Sequence, residues 1–168
     1  MARSCTLKGN SFNLDGAELS VGDTAPGATL RENLLTDIEL STFTGKKRVI
    51  SVVPSLDTGI CAEQTKRFNE EAAKLTDISF ITISVDLPPA QARFCGAESI
   101  NAENMTTLSD HIQLAFGNAY GTLMPELRVN CRAVFVIDGN DKLTYVEYVP
   151  EVTEHPKYDA VLAAALEL

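Results

Sequence analysis

A strand that breaks directly into a helix constrains this chain more than any other feature. RVISVV at 48–53 is a short apolar, β-branched run that reads as a central strand, and Pro54 ends it. From Cys61 onward, CAEQTKRFNEEAAKL sets Cys61, Phe68, Ala72 and Leu75 on one face at helical spacing, with charged residues on the other. The segment between them, Pro54 to Cys61, therefore turns the chain from strand to helix and delivers a cysteine at the helix start.

A helix start presents unpaired backbone N–H groups and the positive end of the macrodipole, and both favour a thiolate over a thiol. Thr58, three residues upstream, is placed to cap the helix or to donate a hydrogen bond to sulfur or to a substrate oxygen. Most unpaired cysteines are small buried hydrophobes. A packing cysteine has no reason to follow a Pro and a Gly at an exposed turn, so the position of Cys61 argues for chemistry.

The remaining periodicities give an alternating α/β order. ISFITISV at 78–85 is a second buried strand, broken by Asp86, Leu87, Pro88 and Pro89, with a short helix over 90–97. Met105 to Ser109 reads as a third strand, followed by a helix over 111–119 that packs Ile112, Ala115 and Phe116. RAVFVID at 132–138 and LTYVEYV at 143–149 flank the turn-rich Gly139 to Lys142 and suit a β-hairpin, and a last helix runs from Pro156 to Leu166. At 168 residues, 45% of them hydrophobic, the chain is expected to form one domain spanning 1–168.

Several segments carry a resemblance. The pattern Pro-x-x-x-Thr-x-x-Cys at 54–61 resembles the active-site signature of the peroxiredoxins, and PSLDTGIC is similar to the form in their bacterial thiol peroxidase subfamily, the atypical 2-Cys type. DLPPAQARFCGAE at 86–98, CRAVFVIDGNDKL at 131–143, and Lys8, Gly9, Asn10 followed by Leu14 and Gly16 agree with that subfamily. The resemblance implies a thioredoxin-like fold with peroxiredoxin additions and an N-terminal β-hairpin. It also implies a peroxidase that reduces hydrogen peroxide and alkyl hydroperoxides, with thioredoxin as reductant and a homodimer as assembly. Exposed apolar residues around the Cys61 turn would be one surface for that dimer.

Carried over residue by residue, the resemblance makes Cys61 the peroxidatic cysteine and Cys95 the resolving one, joined in an intramolecular disulfide after oxidation. Pro54, Thr58 and Arg132 complete the site, with Pro54 shielding it from water. Arg132 offers a fixed fork of donors that remains charged, and Arg128 is its rival nearby. A thiol of ordinary pKa near 8.5 is about 3% ionised at pH 7, so full ionisation raises a rate by only about 30-fold. The rest must come from positioning the peroxide and stabilising the departing oxygen. Strand alternation should turn Cys131 away from the face that Arg132 uses, which favours a core role for Cys131. Cys5 reads as packing or surface.

A formal charge of −9 opposes nucleic acid and anionic membranes, and the basic trio Lys46, Lys47, Arg48 reads as a solvated turn. No apolar run approaches a membrane span, and MARSCTLKGNSFNLDG lacks a signal-like stretch, so a cytoplasmic location is expected. Neither the four cysteines nor His111 and His155 have metal-ligand spacing, and no cofactor is expected. A redox sensor or binding protein that is oxidised once without turnover is the alternative reading. Catalytic consumption of peroxide separates it from an enzyme. A metallochaperone and a disulfide reductase are weaker, lacking the paired cysteines each requires.

Overall fold

The computed structural model describes residues 2–168. The chain opens with a hairpin, β1 (Arg3–Leu7) and β2 (Asn10–Leu14), then adds two short strands, β3 (Thr29–Arg31) and β4 (Asp37–Glu39). Next come β5 (Arg48–Val52), α1 (Gly59–Lys74), β6 (Ser79–Ser84), α2 (Pro88–Ala97), β7 (Met105–Ser109) and α3 (Ala115–Ala119). A two-residue ladder, β8 (Leu123–Met124) with β9 (Val129–Asn130), leads to β10 (Ala133–Ile137), β11 (Leu143–Tyr148) and α4 (Tyr158–Leu166). Seven strands form one mixed sheet in the order β11-β10-β5-β6-β7-β3-β4. The pairs β5-β6 and β6-β7 are parallel, whereas β10 is antiparallel to both β5 and β11.

All five residues of β5 and of β10 are buried because both faces of the sheet are covered. Strand alternation then sorts each residue. Ile50, Val52, Ala133, Phe135 and Ile137 join Phe116 and Tyr120 on one face, while Val49, Val134 and Val136 meet Phe68 and Ala72 of α1 and Val161 of α4 on the other. The inner edge of α1 presents Cys61, Gln64, Phe68 and Ala72 to that second face. This is the α/β architecture of a thioredoxin-like fold with an added N-terminal hairpin.

Three expectations need correction. The helix expected over 111–119 begins only at Ala115, because Leu114 takes a left-handed φ of 53° and the Asp110 carboxylate accepts from the N–H groups of Phe116 and Gly117. Ile112 consequently faces solvent. Arg48 is not a solvated turn residue: as the first residue of a central strand it is 5% exposed, pairs with Asp141 at 2.8 Å and donates to the carbonyls of Phe43 and Lys46. On the Cys61 turn, Leu56 is buried and Ile60 partly so, and the large exposed apolar residues lie elsewhere, at Leu34, Leu35, Leu87 and Ile112 among others. Among the described residues no helix is long and apolar enough to cross a membrane.

Candidate active site

The strand-to-helix turn is held from below by one carboxylate. Asp86, just past β6, accepts from the Ser55 hydroxyl and the Leu56 N–H at 2.7 Å each, and from the Ser84 hydroxyl at 2.7 Å. Thr58 occupies the N-cap position, where its carbonyl accepts from the Ala62 N–H at 3.0 Å. Its hydroxyl, however, donates to the Ser55 carbonyl at 3.0 Å rather than capping the helix or reaching sulfur. Thr58 thus closes the turn on itself. Cys61 stands third in α1, fully buried among Val53, Leu56 and Phe94.

β5 and β10 supply the floor under α1. Along β5, Val49 packs in the Phe68 cluster and the Ser51 hydroxyl accepts from the Gln64 side-chain amide at 2.7 Å, and Val53, just past the strand's end, meets Cys61. One residue before β10, Arg132 shares the face of Val134 and Val136 and so points at the first turns of α1. Its Nη2 lies 3.3 Å from Cys61 Sγ, Nη1 donates to Gln64 Oε1 at 2.6 Å, and Nε donates to the Val152 carbonyl at 2.9 Å. At 2% exposed, a guanidinium held by three partners has little freedom to move. Arg128, its rival, is exposed in the β8–β9 turn.

Above this group opens a cavity of about 400 Å³ lined by Pro54, Thr58, Ile60, Arg132, Val152 and the hairpin residues Leu7 and Lys8. Pro54 lies in its wall. Burial pushes the hydroxyl of Tyr158, which packs edge-on against Phe68, up to about 12 although Arg132 opposes the shift.

Cys95 lies apart from this group. It is half-buried on α2, its Sγ 3.4 Å from the Thr107 hydroxyl, in a separate cavity with Gln91, Ile100 and Met105. All four cysteines are free thiols. Cys131 packs with Cys5, Met124 and Val152 beneath the hairpin, on the face opposite Arg132. A hydrogen bond with Cys5, together with burial, pushes the Cys131 thiol well above its usual range, in keeping with a packing role. Gln64 had no place in the sequence reading, and Asp86 entered it only as a strand breaker. The signal for Gln64 was a polar residue on an otherwise apolar helix stripe. Nothing marked Asp86 as the anchor of the turn, since Ser55 and Leu56 lie about 30 residues away in sequence.

A thiol in contact with a buried guanidinium, at the start of a helix and next to an apolar cavity, is an arrangement for thiolate nucleophilic chemistry. The redoxin family profile matches residues 20–162. The chain is 53% identical over 158 residues to a thiol peroxidase of Oceanobacillus iheyensis, covering 94% of this chain and 95% of that one. The chain belongs to the thiol peroxidases of the redoxin family. A second such relative, from Bacillus subtilis, is 51% identical over 163 residues, covering 97% and 96% of the two chains. A solved peroxiredoxin-like protein from Aquifex aeolicus superposes with a TM-score of 0.88 at 42% identity, over 99% of this chain and 98% of that chain. A thiol peroxidase from Chromobacterium violaceum shares the fold at a TM-score of 0.86 and 20% identity, over 98% and 95%. Of the functions raised by the sequence, a peroxiredoxin-type, thiol-dependent peroxidase is the one these relatives carry.

Proposed function

We propose that Cys61 reduces hydroperoxides and that Cys95 resolves the oxidised enzyme. The observation that carries this reading is the 3.3 Å contact between Arg132 Nη2 and Cys61 Sγ next to an apolar cavity. The Cys61 thiolate attacks the terminal oxygen of ROOH. The O–O bond breaks, the departing RO⁻ takes a proton and leaves as alcohol or water, and Cys61 becomes a sulfenic acid. Arg132 is aimed where negative charge passes from sulfur to the departing oxygen, and Gln64 and the Val152 carbonyl fix its aim.

Attack by the Cys95 sulfur on the sulfenic sulfur then forms the Cys61–Cys95 disulfide and releases water. Cys61 is fully buried beside Arg132 whereas Cys95 lines a separate cavity, so closure requires local unwinding. Support comes from the exposure of Asp57, Thr58 and Gly59 before Cys61, and from α2, which buries only Pro88 and Gln91. A dithiol protein of the thioredoxin type, in the cytoplasm, is proposed to reduce the disulfide, and a second copy of the chain to complete a homodimer. One domain, 1–168, holds both cysteines.

Oxidation with one equivalent of hydroperoxide, followed by non-reducing peptide mass spectrometry, tests the scheme. A linked Cys61–Cys95 peptide within one chain is expected, absent in Cys61→Ser and in Cys95→Ser. A bridge between chains, or one from Cys61 to Cys131, would refute the pairing.

A further inference from the structure

Glu151 lies outside the reaction centre, yet it gathers more donors than any group within it. Its carboxylate accepts from the Thr6 hydroxyl at 2.7 Å, the Lys8 N–H at 2.9 Å, the Gly9 N–H at 3.1 Å, the Thr153 N–H at 3.0 Å and the Thr153 hydroxyl at 2.6 Å. Thr153 and Thr6 are the main reason this carboxyl lies well below the usual carboxylate range. Lys8 and Gly9 form the two-residue turn of the N-terminal hairpin, with φ of 51° and 78°. Among the described residues nothing else in the hydrogen-bond network ties that tip to the body of the protein, because the Asn10 side chain bonds only back to Leu7 and Lys8.

The base of the same junction is tied differently. The Thr6 N–H donates to the Pro150 carbonyl at 2.8 Å, and the Val152 N–H donates to the Thr6 carbonyl at 2.7 Å. Between the backbone bridge at Thr6 and the carboxylate-held tip at Lys8 lies Leu7, in the wall of the cavity next to Arg132. The Val152 carbonyl, acceptor of Arg132 Nε, belongs to the backbone-tied part.

We infer that Glu151 is a positioning residue for substrate selection: its carboxylate pins the hairpin tip so that Leu7 and Lys8 form a fixed wall for hydroperoxides carrying a bulky apolar group. The inference rests on the reading that this cavity leads the hydroperoxide to Cys61. Hydrogen peroxide carries no apolar group to rest against Leu7, so the wall acts only on larger organic substrates. All five partners of Glu151 are donors. Glutamine in its place has one acceptor oxygen and an amide that confronts donors with donors, which frees the tip while the bridge at Thr6 keeps the Arg132 acceptor in place.

The test compares kcat and KM for cumene hydroperoxide and for hydrogen peroxide, with dithiothreitol as reductant, in the parent, Glu151→Gln and Leu7→Ala. The ratio of kcat/KM for cumene hydroperoxide to that for hydrogen peroxide is expected to fall about fivefold in both variants, through KM for the bulky substrate. Hydrogen exchange at the Lys8 and Gly9 amides is expected to quicken about tenfold in Glu151→Gln. An equal loss for both substrates, an unchanged ratio, or unchanged exchange would each overturn the inference. A parent that consumes neither peroxide defeats the assignment of Cys61 and the selection built on it, whereas an active parent with an unchanged ratio defeats the role of Glu151 alone.

Discussion

Cys61 and Cys95 are the same side chain in opposite settings. Around Cys61 there is no exposed surface, a guanidinium at 3.3 Å, and a chain of contacts running from Ser51 through Gln64 to Arg132. Around Cys95 there is partial solvent, one hydroxyl, and a helix with few buried residues. One thiol has its partners in place before any substrate arrives. The other has a single hydrogen-bond contact on a helix with few buried residues. A two-step thiol cycle needs that asymmetry: the first step gains from preorganisation, and the second requires a segment that unwinds at low cost.

The sharpest way to break the contrast is to remove the guanidinium. Arg132→Met is expected to lower kcat/KM for hydrogen peroxide by about 10²–10³, the range for losing a donor that stabilises charge in the transition state. Stopped-flow measurement of the first oxidation phase reads it directly. A loss of less than about tenfold would mean that the contact with Cys61 is packing rather than chemistry. Arg128→Met serves as the control and should change little, since its side chain is exposed.

A smaller effect is expected one contact further out. Gln64→Met keeps the volume on the inner stripe of α1 but leaves Arg132 Nη1 and the Ser51 hydroxyl without their partner. The first oxidation phase should slow by about tenfold, while the later disulfide-forming phase keeps its rate. Gln64→Glu retains an acceptor for Arg132 and should lose less. Equal slowing of both phases in Gln64→Met would instead indicate a general loss of packing.

The smallest effect belongs to the other thiol. Thr107→Val removes the one hydroxyl that touches Cys95, and the disulfide-forming phase should change by less than about threefold, in keeping with a single weak sulfur contact. A large change would show that Cys95 is held as deliberately as Cys61.

Much of this was legible from pattern alone. The strand at 48–53, the turn and the Cys61 helix announce themselves through a β-branched run and a 3.6-residue period, and strand alternation separates Cys131 from Arg132. The short strands β3 and β4 at one end of the sheet were not legible, because three-residue strands in a polar stretch carry no usable period. Ile112 misled for a related reason: its spacing fits a helix, yet the left-handed Leu114 interrupts that helix before it starts. Within the candidate site, the sequence pointed to Pro54, Thr58, Cys61 and Arg132, which the fold brings together, and missed the residues that hold them. Gln64, Asp86 and Glu151 act through partners distant in the chain, and no local motif encodes a distant hydrogen bond.

The alternation of β10 carries one more consequence. Cys131 and Arg132 are neighbours on one backbone yet belong to separate compartments, the first beneath the hairpin and the second beneath α1. Their division of labour is set by the pleat of a sheet rather than by a loop, so the accuracy of the reaction centre is that of strand register. A slip of a single residue would turn both side chains to the opposite face and take the guanidinium away from Cys61.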